Sequence, residues 1–170
     1  MNQVQEVNNA SVPVCKDMND LQALTGSELY CSPWVEVDQQ RIDRFAEATG
    51  DFQWIHVNPE RAAEESAFGG TIAHGFLTLS LLGKHYEDFL PTLVPFCDVG
   101  LNYGLNRVRF MQPVRSGSRV RSRFVLSEVT SESGGVQMVF NATVELEGQS
   151  KPACVAESIV RRQLRDGGVR

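Results

Sequence analysis

The hydrophobic pattern changes its period at about residue 98, and this change constrains the fold more than any other feature. Upstream, Gly75 to about Phe89 is apolar on nearly every helical face, as is typical of a helix surrounded by other structure. Downstream, apolar and polar side chains alternate. The clearest alternation is the run Val136, Met138, Phe140, Ala142, Val144 and Leu146. Such alternation predicts strands with one buried face, so the C-terminal half should form an antiparallel sheet.

A long helix followed by long strands also indicates how the two would pack. Strands of about ten residues span roughly 33 Å, and a helix of about fourteen residues is roughly 21 Å long. A sheet of such strands is long enough to curl around the helix. Because helices come first and strands follow in one run, the order is that of an α+β domain. We therefore expect a hot-dog fold, in which a curved antiparallel sheet wraps around a long central helix.

The 170 residues are enough for one domain with its own core. The first stretch, 1–16, is polar and without periodicity, which predicts a flexible leader, and 165–170 predicts a loose tail. Between them, 17–164 should form a single domain. In its helical half, Asp38 can cap a helix that Gly50 then ends.

Composition excludes several classes of function. The net charge of −5 argues against a general nucleic-acid binder, because no broad basic surface is implied. The most apolar stretch, 72–90, contains charged side chains and should not span a membrane. No secretory signal is visible, so we expect a cytoplasmic protein with reduced thiols. The cysteines form no CxxC or Cys/His cluster, and we therefore expect no metal site. They are Cys15, Cys31, Cys97 and Cys154.

A carboxylate and an imidazole, those of Asp51 and His56, follow closely after the helix-ending Gly50. Taken separately, Asp51 could simply bond to local backbone, and His56 could be a half-buried structural histidine. Taken together, the two side chains can reach one water molecule on a bent loop. A neighbouring carboxylate would also set the tautomer and the pKa of the imidazole. The pair is therefore a candidate for general acid–base chemistry.

Gly75 opens the apolar helix, and its position suggests a second chemical role. An exposed N–H at a helix N-terminus can stabilise negative charge on a carbonyl oxygen, although a glycine here could instead serve close packing. His74, just before it, favours a structural cap, and Ser80, one turn further, favours a hydroxyl bonded back to the helix. A nucleophilic serine triad is not supported, because the chain has no Gly-x-Ser-x-Gly turn.

Two stretches resemble the MaoC-like family of (R)-specific enoyl-CoA hydratases. The first reads Gly50-Asp51-x-Gln53-Trp54-Ile55-His56, and the second reads Ile72-Ala73-His74-Gly75-Phe76-Leu77-x2-Ser80. The stretches 101–110 and 151–157 are similar to its single-hot-dog, nodulation-protein-N-like branch. The resemblance implies a hot-dog fold that dimerises through its sheets. It also implies a trans-2-enoyl-CoA substrate that is hydrated to the (3R)-hydroxyacyl-CoA.

The same resemblance assigns roles to particular residues. Asp51 and His56 become the catalytic pair, with the aspartate favoured as the base and the histidine as proton donor or water positioner. Gly75 supplies the oxyanion-binding N–H. No metal or redox cofactor is implied, since coenzyme A is part of the substrate. The candidates for the substrate pocket are Trp54, Ile55, His74, Phe76 and Ser80, and those for the CoA phosphates are Arg107 and Arg109.

One departure from the family and two alternative functions stay open. Trp54 stands where the wider family carries proline, so the selectivity for acyl-chain length is not predicted. The alternatives are a hot-dog acyl-CoA thioesterase and a non-catalytic acyl-CoA-binding subunit. The pair Asp51 and His56 counts against the thioesterase, and the pair together with Gly75 counts against the binding subunit. The expected assembly is a homodimer or a larger assembly of dimers.

Overall fold

The computed structural model describes residues 12–165, which form five helices and six strands. No helix in this part of the chain is long and apolar enough to cross a membrane. In chain order the elements are α1 Met18–Ala23, β1 Glu28–Cys31, β2 Val35–Val37, α2 Gln39–Thr49, α3 Trp54–Val57, α4 Pro59–Glu65, α5 Gly75–Leu93, β3 Cys97–Phe110, β4 Ser118–Glu132, β5 Gly135–Leu146 and β6 Cys154–Leu164.

The strands form one antiparallel sheet in the order β1-β4-β5-β6-β3, and β2 pairs with β4 beside β1. Strand β3 pairs only with β6 in this sheet and therefore lies at its edge. The register of β3 against β6 shifts between Leu105 and Arg107, as at a β-bulge. The predicted fold class is confirmed, because a long helix, α5, lies against an antiparallel sheet in an α+β domain.

The core lies between α5 and the inner face of the sheet. Every second residue of β5 from Val136 to Val144 is buried, as the alternation predicts. Four aromatic rings form its centre, with Tyr86 4.8 Å from Phe124 and 5.5 Å from Phe140 between centroids. Phe89 of α5 lies 5.2 Å from Phe124. Each buried phenylalanine stabilises the fold by about 1.5–3 kcal/mol relative to an exposed one, so this cluster anchors the sheet on the helix.

The residues that begin and end α2 determine where the loop after it starts. Asp38 caps this helix, because its carboxylate accepts a hydrogen bond from the Arg41 N–H at 2.8 Å. Gly50 ends it in the left-handed conformation at φ 76°, which glycine adopts without steric cost. The chain turns sharply at this point and leads directly into Asp51.

Three features differ from the predictions. Helix α5 continues past Pro91 to Leu93, because buried side chains such as Leu90 offset the hydrogen bond that proline cannot donate. Strand β1 was not predicted, since four residues are too few to show a period. Cys15, inside the predicted leader, is buried and donates its N–H to the Leu93 carbonyl at 2.9 Å. The remaining leader residues 1–11 and the tail residues 166–170 lie outside the described residues.

Candidate active site

The stretch expected to be a bent loop between Asp51 and Val57 contains the short helix α3. Asp51 precedes it, and its carboxylate accepts the Gln53 N–H at 3.3 Å. The side chain of Asp51 remains 55% exposed. Helix α3 turns His56 inward, where it is buried. The two side chains therefore approach the same place from environments of different polarity.

The ring of His56 is fixed by one backbone carbonyl. Its Nδ1 lies 2.7 Å from the Ile72 carbonyl oxygen, and because a carbonyl only accepts, Nδ1 carries the proton. Nε2 is therefore the acceptor nitrogen in the neutral ring. Burial lowers the pKa of His56 below 6.5 and His74 lowers it further, while the Ile72 carbonyl and Asp51 act in the opposite direction. The balance keeps this imidazole neutral at physiological pH.

His74 lies between the two predicted catalytic residues. Its ring stacks on the His56 ring at 3.8 Å between centroids, and its Nε2 donates to the Asp51 carbonyl at 3.0 Å. It occupies the predicted N-cap position of α5, but its side chain makes no capping hydrogen bond to the helix. Its buried Nδ1 has no hydrogen-bond partner within the described residues. His74 thus ties the Asp51 loop to the start of α5 and supports the face of the His56 ring.

Asp51, His56 and His74 are also residue types that bind metal ions, and their ligand atoms lie within 4.8 Å of one another. However, the two imidazoles are stacked with only 27° between their planes. Each lone pair lies in its own ring plane, and two stacked planes this close to parallel do not meet near the rings, whereas a tetrahedral ion must lie close to the plane of each imidazole that binds it. The arrangement is better suited to holding a water molecule between a carboxylate and an imidazole.

Gly75 is the first residue of α5, where backbone N–H groups have no partner within the helix. A Cβ atom at this position would lie 3.1 Å from the ring of Phe110, so the contact itself favours glycine. Phe76 packs edge-on against Phe110, with 5.8 Å between centroids, and both rings are exposed. Since Gly75 directly follows His74, its N–H lies next to the stacked imidazoles of His56 and His74. Phe110 was not among the predicted site residues.

A second group that sequence reasoning missed holds the backbone of His56. The Gln39 amide donates to the His56 carbonyl at 2.7 Å and to the Asp43 carboxylate at 2.8 Å. Its own oxygen accepts the hydroxyl of buried Thr71 at 2.5 Å. We call Gln39 and Thr71 the amide clamp. It connects α2, α3 and the segment before α5, because Gln39 contacts His56 and Thr71, which are 17 and 32 residues away along the chain.

A cavity of about 200 Å³, which we call the proximal cavity, lies between α5 and β3. Ser80 lines it, and its hydroxyl donates back to the Leu77 carbonyl at 2.8 Å, as expected for a helical serine. The lining also includes Leu79, Gly83, Tyr86, Asn102 and Ser158. Of the predicted pocket residues, only Ser80 belongs to this lining.

Two sets of predicted residues have surroundings other than the stacked imidazoles of His56 and His74. Trp54 packs beneath the Arg61 guanidinium of α4 at 4.3 Å from its ring centroid, and it does not line the proximal cavity. Arg107 and Arg109 are exposed on β3. Because neighbouring strand residues face opposite sides, Arg109 points away from the face on which Phe110 contacts Gly75. Within one protomer the two arginines therefore do not approach the start of α5.

Comparison with known proteins gives consistent results. Residues 20–148 match the model of the MaoC-like domain family. Nodulation protein N of Rhizobium leguminosarum bv. viciae is 53% identical over 141 residues, which cover 82% of this chain and 87% of that protein. The 3-hydroxyacyl-thioester dehydratase Z of Mycobacterium tuberculosis (strain ATCC 25618 / H37Rv) is 51% identical over 143 residues, which cover 84% of this chain and 93% of that protein.

A solved structure supports the fold. The (R)-hydratase from A. caviae involved in PHA biosynthesis aligns with a TM-score of 0.65 at 21% identity and covers 80% of this chain and 94% of that one. At this identity the likeness speaks for the hot-dog fold alone. The predicted enzyme class, a hydratase or dehydratase, is confirmed by the relatives. The family match and the identity to curated relatives show that the chain belongs to the MaoC-like domain family.

Proposed function

We propose that the protein is an (R)-specific enoyl-CoA hydratase, which adds water to a trans-2-enoyl-CoA to give the (3R)-hydroxyacyl-CoA and also catalyses the reverse dehydration. One observation carries the proposal. The carboxylate of Asp51, the imidazole of His56 and the first turn of α5 at Gly75 meet around His74. The (3R) configuration follows from the family that the motifs resemble.

Carbonyl polarisation is the first part of the proposed mechanism. The thioester oxygen accepts the Gly75 N–H at the positive end of α5. This bond strengthens as negative charge moves from the double bond onto the oxygen in the enolate-like transition state. Loss of one such donor typically lowers the rate by about 10²–10³-fold. Gly75 would therefore act through its backbone, and its missing side chain leaves room for Phe110 beside the substrate.

Proton transfer is the second part, and the hydrogen bonds favour His56 as the base rather than Asp51. Nδ1 already donates to Ile72, so the neutral ring presents Nε2 as an acceptor. His56 Nε2 takes one proton from the water while its oxygen bonds to C3. The resulting imidazolium returns that proton to C2 on the same face, which completes the addition of water. Asp51 accepts the second O–H of the water and orients it, and the reaction needs no metal or redox cofactor.

The names of the relatives agree with this reaction class. Dehydratase Z is named for the elimination of water from a 3-hydroxyacyl thioester, which is the reverse of the hydration proposed here. Its 51% identity over 84% of this chain makes a similar reaction the best-supported choice. We extend the proposal to acyl-CoA thioesters as substrates and to a homodimer as the working assembly.

A single assay tests the reaction. Crotonyl-CoA is followed by the loss of its conjugated absorbance, and free thiol is measured in the same samples. The expected result is loss of absorbance without thiol release, with the (3R) enantiomer as product. Thiol release would identify a thioesterase instead. Binding of the substrate without either signal would identify a non-catalytic acyl-CoA-binding subunit.

A further inference from the structure

His74 is a buried imidazole at the point where three elements meet. It is 3% exposed and directly precedes α5. Its ring centroid lies 3.8 Å from that of His56 in α3 and 5.1 Å from that of Phe45 in α2. The proposed base therefore lies against a ring whose position depends on both α2 and the start of α5.

The segment that carries His74 is itself held in place by backbone hydrogen bonds. The Ala73 N–H donates to the Val114 carbonyl at 2.7 Å. The Ile72 carbonyl accepts the His56 Nδ1–H at 2.7 Å. One short segment thus holds His56 in two ways, because Ile72 fixes Nδ1 in the plane of the imidazole and His74 covers the face of the ring.

His74 also contacts the other member of the proposed catalytic pair. Its Nε2 donates to the Asp51 carbonyl at 3.0 Å, and the Asp51 carboxylate lies 3.9 Å from the same nitrogen. The Asp51 side chain is mostly exposed and follows Gly50, where the chain leaves α2. The bond from His74 therefore ties an exposed turn to the buried part of the site.

Neither nitrogen of His74 is available to a substrate. Nε2 donates to Asp51, and Nδ1 has almost no accessible surface and no hydrogen-bond partner within the described residues. Because Nε2 carries the proton, Nδ1 of the neutral ring is an acceptor, and a buried acceptor without a donor costs free energy. Such a cost is typical of functional sites, where the arrangement of side chains matters more than stability.

We propose that His74 is a positioning residue of the hydration, which holds Asp51 through its N–H and the His56 ring through its face without touching the substrate. The inference rests on the proposed hydratase function, since that function gives Asp51 and His56 their roles. A displacement of about 1 Å at a catalytic group can cost about 10²-fold in rate. Loss of either contact should therefore lower kcat. KM should change little, because the thioester binds to the backbone N–H of Gly75.

Three variants separate the two contacts. His74→Phe keeps a ring for the stack but has no N–H for Asp51, whereas His74→Gln keeps a side-chain donor but has no ring. His74→Leu lacks both. For crotonyl-CoA we expect kcat to fall about tenfold in the first two variants and about hundredfold in the third, with KM within about threefold of the wild type. Wild-type kcat in either of the first two would overturn the proposal, whether or not His74→Leu folds.

The groups around His56 provide a second readout. Burial lowers the pKa of His56 and His74 lowers it further, while the Ile72 carbonyl and Asp51 act in the opposite direction. The effect of His74 exceeds that of Asp51. On the α2 side, the Asp43 carboxylate is bonded to an amide donor. Replacing His74 by a ring that cannot carry charge should therefore raise the pKa of His56 toward 6.5.

An NMR titration of the imidazoles measures this pKa without reference to activity. The chain has three histidines, so each signal can be assigned by its loss in one variant. In His74→Phe the His56 midpoint should rise, and the acid decline of kcat/KM should begin at a higher pH. His85→Gln is the matched control, because this buried histidine lies further along α5 and its loss should cost stability without moving the His56 midpoint. An unchanged midpoint in His74→Phe would overturn the proposal.

The two readouts separate this inference from the proposed reaction. If the wild type hydrates no enoyl-CoA while the His56 midpoint rises in His74→Phe, the hydratase proposal fails and the coupling of the two imidazoles stands. If the wild type and His74→Phe hydrate crotonyl-CoA with the same kcat, the positioning role fails and the hydratase function remains.

Discussion

At the scale of single residues, burial distinguishes the two side chains of the proposed catalytic pair. His56 is 7% exposed, and a carbonyl holds its Nδ1–H, whereas most of the Asp51 carboxylate remains open to solvent. A neutral imidazole is suited to take a proton, and an open carboxylate is suited to accept a hydrogen bond from water. The different surroundings of His56 and Asp51 thus give them different proposed roles in the reaction.

Substitution of either residue should affect the reaction rather than the fold. We expect Asp51→Asn and His56→Gln each to lower kcat/KM about hundredfold or more, because each removes one proton-handling group. The double variant should be little worse than the poorer single variant, since the pair acts as a unit. Circular dichroism and thermal melting serve as controls for folding. Near wild-type activity of either single variant on several chain lengths would remove that residue from the catalytic pair.

The pH dependence distinguishes the two proposed assignments of the base. If His56 Nε2 accepts the proton, the hydration rate must fall as the imidazole becomes protonated. Burial lowers the pKa of His56, so kcat/KM should stay level through neutral pH and decline only below pH 6.5. If the imidazolium were instead the proton donor, activity would rise on acidification through the same range. The measurement is kcat/KM for hydration of one enoyl-CoA between neutral and mildly acidic pH.

At the scale of elements, the amide clamp positions α3 against α2. Gln39→Leu removes the donor to the His56 carbonyl and the acceptor of Thr71 while keeping a similar volume. We expect kcat to fall about tenfold with little change in KM, because a small displacement of the base costs rate more than binding. Gln40→Leu is the control, since Gln40 is an exposed neighbour on the same helix. Equal losses in both variants would show that the effect comes from α2 in general.

The buried face of α5 carries a titrating group away from the proposed site. His85 is fully buried, with Nδ1 2.9 Å from the Ser122 hydroxyl, and burial lowers its pKa to about 4, with Lys84 acting in the same direction and Asp88 against it. Unfolded chains bind the proton near pH 6.5, so stability should fall between pH 6.5 and about 4. The loss amounts to about 3 kcal/mol.

Thermal melts test this linkage. The melting temperature of the wild type should drop on going from pH 7 to pH 5 by more than that of His85→Gln. The variant lacks the titrating ring, so its melting temperature at neutral pH should be lower but its pH dependence should be flatter. Parallel pH profiles for the two proteins would show that other groups dominate the acid sensitivity.

The parts that could be predicted from the sequence are those with local signals. Long alternation predicted β4 to β6, and the motifs around Asp51, His56 and Gly75 predicted residues that meet in space. The amide clamp could not be predicted in this way, because the partners of Gln39 are distant in sequence and carry no period. The short strand β1 and the passage of α5 through Pro91 depend on tertiary packing, which overrides local preference.

At the scale of the whole molecule, the free edge of the sheet is the surface best suited to association. Strand β3 runs for 14 residues and, within the described residues, pairs with β6 on one side only. Its large apolar side chains are between 46% and 57% exposed, and they are Val99, Leu101, Tyr103 and Leu105. A long apolar edge with unpaired backbone groups favours association with another strand, and a second copy offers an identical edge. The same strand lines the proximal cavity through Asn102 and Leu105.

We therefore expect a homodimer that Tyr103→Glu dissociates. The new carboxylate can pair with Arg161, which lies 3.4 Å from the centre of the Tyr103 ring, so the single protomer should still fold. In the dimer, however, two added carboxylates would meet near the joined edges. Sedimentation velocity at micromolar concentration should show a dimer for the wild type and for Val14→Glu, an exposed apolar control outside the strands of the sheet. A wild-type monomer that is stable and active would refute the dimer, and an intact Tyr103→Glu dimer would move the interface away from β3.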